Sequence, residues 1–144
     1  MLIEAELTGR IRQVAFEVHR YFGSGFLERV YENSLSHRLR SARIEVVQQH
    51  PLDIFDEDGT VVGHYSTDLL IPGKLVIEVK GVRALIPEHE AQLIHLLQCT
   101  RLPMGLLINF GGPRLQFRRY VWTPGSTSQT RPEPGTLASA THPP

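Results

Sequence analysis

The sequence predicts an α/β domain in which helices flank a central mixed β-sheet. Three observations carry this reading. The chain opens on two amphipathic helical stretches separated by Gly23-Ser24-Gly25. Extended segments follow, turning at Asp56-Glu57-Asp58-Gly59 and at Pro72-Gly73. A third helical stretch then leads into Leu106-Leu107-Ile108-Asn109-Phe110, an apolar run without alternation, as expected of a strand covered on both faces.

Each element has a local reason. From about Ile3 to Phe22, Leu7, Ile11, Val14, Ala15, Val18 and Phe22 recur at the spacing of one helix face. The glycines after Phe22 favour a break. Leu27, Val30, Tyr31, Leu35 and Leu39 then mark a second helix, with Glu28 in its first turn, where exposed amides and the helix dipole favour a carboxylate. Glu28, Tyr31 and Leu35 adjoin on one face of it. Ile44 to Asp56 reads as extended, and Pro51 suits an edge strand or a strand start. The acidic Asp56–Gly59 stretch is too short for a calcium loop and reads as a hairpin tip. Val61 to Ile71 returns as a strand, and Leu75 to Lys80 is the next. Pro87 opens a helix to about Thr100, proline being tolerated in a first turn. The run ending at Phe110 is read as a buried central strand, and Leu115 to Trp122 as the last strand. Residues 1–122 therefore form the expected domain. Residues 123–144, rich in proline, serine, threonine and glycine, cannot bury enough apolar surface to offset their ordering entropy and read as a disordered tail.

Composition narrows the function classes. The 144 residues carry 15 Lys+Arg and 15 Asp+Glu, so the formal charge is zero and a strongly basic, histone-like binder is excluded. Any nucleic-acid contact must draw on local charge: Arg29, Arg38, Arg40 and Arg43 early, Arg114, Arg118 and Arg119 late. The single cysteine, Cys99, excludes an internal disulfide and a cysteine-based zinc or iron–sulfur site. No apolar stretch is long enough to cross a membrane and the N-terminus lacks a secretion-signal layout, so a cytoplasmic protein is expected.

The chemistry concentrates between His64 and Gly81. In a strand, alternate residues share a face, so Val76, Glu78 and Lys80 point one way and Leu75, Ile77 and Val79 the other. Asp68, on the preceding strand, can bring a second carboxylate to Glu78. Two converging carboxylates suit a hard cation that keeps several waters, such as Mg²⁺, and a neighbouring lysine can orient water or offset phosphate charge. The same alternation also describes a half-exposed antiparallel strand with solvated Glu78 and Lys80. His89 and Gln92 fall on one stripe of the Pro87 helix, able to face the sheet or solvent.

The order of elements and motifs resembles the PD-(D/E)xK nuclease superfamily, and more narrowly the bacterial family of small proteins named for the motif GxxExxY. The resemblance rests on Gly25-Phe26-Leu27-Glu28-Arg29-Val30-Tyr31, Asp68-Leu69-Leu70, Val76-Ile77-Glu78-Val79-Lys80, His89-Glu90-Ala91-Gln92-Leu93 and Gly105-Leu106-Leu107-Ile108-Asn109-Phe110-Gly111, spanning roughly Leu7 to Val121. It implies a restriction-endonuclease-like core and metal-dependent phosphodiester hydrolysis, of DNA in the first instance, with Mg²⁺ or Mn²⁺. It implies Asp68, Glu78, Glu28 and the Val79 carbonyl as metal ligands, and Lys80 as the water-orienting or phosphate-neutralising amine. Gln92 matches a helix glutamine near the metal in exonuclease-like relatives, with His89 a companion. Thr67 replaces the proline of the superfamily name, and Ser24 stands where many relatives have proline. Two alternatives stay open: a non-catalytic nucleic-acid- or partner-binding module, and a structural subunit with an exposed apolar patch. A two-fold homodimer would supply a second site for duplex cleavage, with the aromatics of Leu115–Trp122 as its contact area.

Overall fold

The computed structural model describes residues 4–122; the segment 123–144 read above as a tail lies outside them. The elements are α1 (Glu4–Phe22), α2 (Glu28–Ser41), β1 (Val47–Phe55), β2 (Val61–Ile71), β3 (Leu75–Lys80), α3 (Pro87–Thr100), β4 (Met104–Asn109) and β5 (Gln116–Val121). The strands form one sheet in the order β1-β2-β3-β4-β5. Pairings are antiparallel except between β3 and β4, which run parallel. Parallel neighbours need a crossover, and α3 provides it.

Period-2 patterning sorts the sheet into two cores. Leu75, Ile77 and Val79 of β3 pack with Ile11, Val18, Tyr31 and Leu35 from α1 and α2. Val76 faces the other way, with Leu93, Leu96 and Leu97 of α3. The helices thus lie on opposite faces, α1 and α2 on one and α3 on the other. β4 is buried at every position, for the reason inferred from its unbroken apolar run. It is interior, but the middle strand is β3. The strand that carries Glu78 and Lys80, not the most apolar one, occupies the centre.

Punctuation follows the residues. The Asp56 amide donates to the Thr60 carbonyl at 2.8 Å, and Asp58 Oδ1 accepts from the Thr60 amide at 2.9 Å, closing the β1–β2 hairpin. Pro51 sits in the edge strand β1, where a missing N–H is harmless. Gly25 adopts φ 116°, a conformation that suits glycine in the bend between α1 and α2. Two expectations about charge and contact are corrected by packing. Arg118 is no free surface cation, because it forms a buried ion pair with Glu90 of α3. The Phe117 and Tyr120 rings, 8% and 0% exposed, cover the protein's own cores, and Trp122 is part-buried against the α3-side core.

Tyr31 links the bend to the sheet. Its ring stacks on Phe110 just after β4, centroids 4.9 Å apart, and its hydroxyl donates to the Gly23 carbonyl at 2.6 Å. The same hydroxyl accepts from the Phe26 amide at 3.1 Å. Tyr31→Phe keeps the stack but strands both backbone groups. We expect a loss of about 1–3 kcal/mol in urea unfolding and a looser start to α2, where Glu28 sits.

Candidate active site

Strands β2 and β3 pair only over Leu69–Ile77, Leu70–Val76 and Ile71–Leu75. Beyond that, β3 continues with β4 as far as Lys80–Asn109, whereas β2 continues with β1. The two strands therefore part at Asp68 and Glu78, and side chains fill the gap that ladder bonds would have closed. Asp68 Oδ2 accepts the Val79 amide at 2.8 Å. Glu78 Oε2 accepts from the Thr67 hydroxyl at 2.7 Å, and Oε1 from the Tyr65 hydroxyl at 3.3 Å. A strand residue sends its N–H and C=O to the same side, so the Val79 carbonyl also faces this gap.

Lys80, His89 and Gln92 line a narrow cleft with Glu78 and Tyr65, between β3 and the start of α3. The His89 ring bends back so that Nδ1 accepts the Ile86 amide at 3.1 Å. Glu28 does not line this cleft. It stands beside it, exposed, with Oε2 accepting the Gly81 amide at 3.1 Å one residue past Lys80. Its charge is nonetheless felt by both Asp68 and His89. Glu78, Lys80, His89 and Gln92 thus line one cleft at the end of β3, with Asp68 at the β2–β3 gap and Glu28 beside it.

Three further groups of residues at the site were not apparent from spacing and motif. Glu32, one helical turn beyond Glu28, is only 4% exposed and accepts from the side-chain amides of Gln48 and Gln49 at 3.0–3.1 Å. Gln49 also donates to Asp68 Oδ1 at 3.2 Å, tying the two carboxylates together. It does so from a left-handed backbone, φ 49°, at a point where the β1–β2 ladder skips a pair. A signal existed: like charges at Glu28 and Glu32 destabilise an isolated helix, so their pairing calls for a tertiary reason. Tyr65 and Thr67 fall on the Leu69 and Ile71 face of β2, so alternation alone would have pointed them away from Asp68 and Glu78, yet both hydroxyls reach the Glu78 carboxylate.

The electrostatics follow from burial. Glu78, 6% exposed, has its carboxyl pushed up from 4.5 to about 7, first by desolvation and then by the Asp68 charge, against Thr67 and Lys80. Asp68 is raised as well, chiefly by burial, with Glu32 and Glu28 adding to it. Tyr65 rises to about 12 through burial and the neighbouring Glu78. His89 is lowered, by burial first and then by Lys80, so its neutral form is favoured. None of the ion pairs among the described residues, Arg29–Glu32, His64–Asp53 and Arg118–Glu90, involves Asp68 or Glu78. Asp68 and Glu78 are thus crowded carboxylates short of positive charge.

Such a pair fits a divalent cation. The donors are all oxygens, and Mg²⁺ commonly takes one or two carboxylates and keeps its waters. Among the described residues, no three His, Cys, Asp or Glu side chains gather into a complete cage.

Among curated proteins, none matches the chain. The family model described as the PD-(D/E)XK nuclease superfamily matches residues 5–120, from the first turns of α1 to the end of β5. With its mixed five-stranded sheet, flanking helices and a match over nearly all of the described residues, the chain belongs to the PD-(D/E)XK nuclease superfamily.

Proposed function

We propose that the protein is a metal-dependent nuclease that hydrolyses phosphodiester bonds, with DNA as its substrate, and that it is a cytoplasmic member of the GxxExxY family. The observation that carries this is the pair of crowded carboxylates, Asp68 and Glu78, at the parting of β2 and β3 with Lys80 on the same strand. The GxxExxY assignment draws on the work each motif residue does: Gly25 makes the bend, Glu28 meets the Gly81 amide, and Tyr31 pins the bend to Phe110.

Asp68, Glu78 and the Val79 carbonyl would hold Mg²⁺ or Mn²⁺, with Glu28 at the edge of the set. Bound there, the cation would supply Lewis-acid neutralisation of phosphate charge and a more acidic water. The remaining roles belong to the chain. Thr67 and Tyr65 hold the Glu78 carboxylate in one orientation by donating to both of its oxygens. Gln49 does the same for Asp68 while also donating to the Glu32 carboxylate. Lys80 would place its ammonium against the attacking water or a phosphate oxygen, where fixed charge stabilises the transition state. Gln92 and His89, across the cleft on α3, would orient the scissile group.

The experiment is a paired titration. Millimolar Mn²⁺ should raise the Tm of the wild type by on the order of 10 °C at a hundredfold excess over Kd, and the same mixture should cut labelled DNA. An unmoved Tm together with intact DNA and RNA would sink the nuclease reading and leave a non-catalytic module. Removal of the metal with EDTA should stop cleavage and reverse the Tm shift.

A further inference from the structure

An open groove of about 530 Å³ runs between α1 and the turn joining β4 to β5. Arg12, Arg83 and Arg114 line it around a floor that includes Leu115 and Phe117. Arg12 lies over the Phe117 ring, 5.0 Å from its centroid. Phe16, half exposed, stands on the same wall one helical turn from Arg12. Arg118 also lines the groove, but Glu90 holds its charge. Among the described residues, no acidic one lines the groove, and no ion pair involves Arg12, Arg83 or Arg114. In a chain of zero formal charge, this is a concentration of cations around an exposed aromatic ring.

The groove is joined rigidly to the candidate site. Arg83 follows Lys80 by three residues, which places their Cα atoms at most about 11 Å apart. Asn109 at the end of β4 grips the intervening Val82 by both its amide and its carbonyl, at 3.0 and 2.9 Å. Gly111 lies so close to this segment that an added Cβ would sit 2.3 Å from the Val82 oxygen. On the other wall, His19 Nε2 lies 3.0 Å from the Gly112 carbonyl, tying α1 to the same turn. The arginine-bearing segments are therefore held in place relative to Lys80.

We propose that this groove is a binding site for a single-stranded nucleic-acid segment that continues from the Lys80 cleft. Arg83 and Arg114 contact its phosphates, and Phe16 provides a face on which a base stacks. Guanidinium groups match phosphate oxygens, and an aromatic platform beside a cationic track accepts any base because every base has a π-face. An extended strand uses both features, whereas an acidic peptide uses only the charge. The continuation toward Lys80 rests on the nuclease reading of that cleft; binding in the groove does not.

The test is fluorescence anisotropy of a labelled, mixed-sequence single-stranded DNA 20-mer with the full chain in EDTA, where cleavage does not interfere. Arg83→Ala/Arg114→Ala should weaken binding at least about tenfold and reduce the slope of log K against log salt by about 1.4, two phosphate contacts on a single strand. Phe16→Ala should weaken it about fivefold or more with the slope unchanged. Lys74→Ala, at the opposite end of β3, should bind as wild type does. The proposal is overturned if wild type shows no saturable binding, or if both groove variants bind within twofold of it. It is also overturned if polyglutamate binds with the same arginine dependence, or if duplex binds more tightly without any effect of Phe16→Ala. Failure here is separable from failure at the site. Groove variants that bind normally while wild type cuts DNA with Mn²⁺ remove only the groove. Groove-dependent binding by a protein that never cuts removes only the nuclease.

Discussion

Lys80→Ala is expected to slow phosphodiester cleavage by at least about a hundredfold while the Mn²⁺-induced rise in Tm persists. The first effect is the size expected when one preorganised charge is withdrawn from a transition state, about 3–4 kcal/mol. The second follows because an ammonium is not a ligand for a hard cation. Asp68→Ala should behave differently and lose both cleavage and the Tm shift. It also frees the Val79 amide and the Gln49 side chain that Asp68 now engages, so part of any destabilisation belongs to those bonds. Asp68→Asn separates the two, since its amide oxygen can still accept from the Val79 amide while its charge is gone. Cleavage assays beside thermal melts in Mn²⁺ read all three variants. If Lys80→Ala cuts as fast as wild type, the lysine has no part in the chemistry.

Glu78→Gln is expected to stabilise the metal-free protein at neutral pH and above, by about 1–3 kcal/mol. The reason is the direction of the Glu78 shift, from 4.5 to about 7, caused first by burial and then by Asp68. Between those values the native state holds a proton that the unfolded chain has released. Stability of the metal-free wild type therefore falls as pH rises from about 4.5 to about 7 and levels off above it. Asp68, raised for the same first reason, contributes with the same sign. In Glu78→Gln the decline should be much shallower, because the uncharged amide has nothing to release. The Thr67 and Tyr65 hydroxyls can meet it, one donating to its oxygen and the other accepting from its nitrogen. Metal reverses the sign, since binding favours the ionised carboxylate and so strengthens as pH rises through the same window. Urea melts at several pH values, with EDTA and with Mn²⁺, measure both slopes. A metal-free wild type whose stability is flat from pH 5 to 7 would contradict the buried, crowded state of Glu78.

Periodicity by itself determined much of this protein. The alternation of β3 separated Leu75, Ile77 and Val79 from Glu78 and Lys80, and the two groups do occupy opposite faces. The α1 and α2 stripes, the bend at Gly23–Gly25, the Asp56–Gly59 tip and the start of α3 at Pro87 were legible for the same reason. Each depends on the chemistry of a few neighbouring residues. Asp68, Glu78 and Lys80 could be grouped because a hairpin brings short stretches of chain together predictably.

What only the tertiary structure decided depends on contacts between distant residues. Nothing local states that β2 leaves β3 at Asp68, since beyond that point each strand follows its other neighbour, β1 and β4 respectively. Glu32 and Gln49 entered the site through that parting, the glutamine by a left-handed turn of a β-strand residue that no propensity suggests. Arg118 reads as surface charge until Glu90, on another element, buries it. Arg12 and Arg83 were not grouped with the arginines picked out along the chain, because a helix and a loop far apart in sequence form one groove. Spacing along a chain reports which residues share a face of one element. Which faces meet is decided by packing whole elements, where burial and local charge first acquire their values.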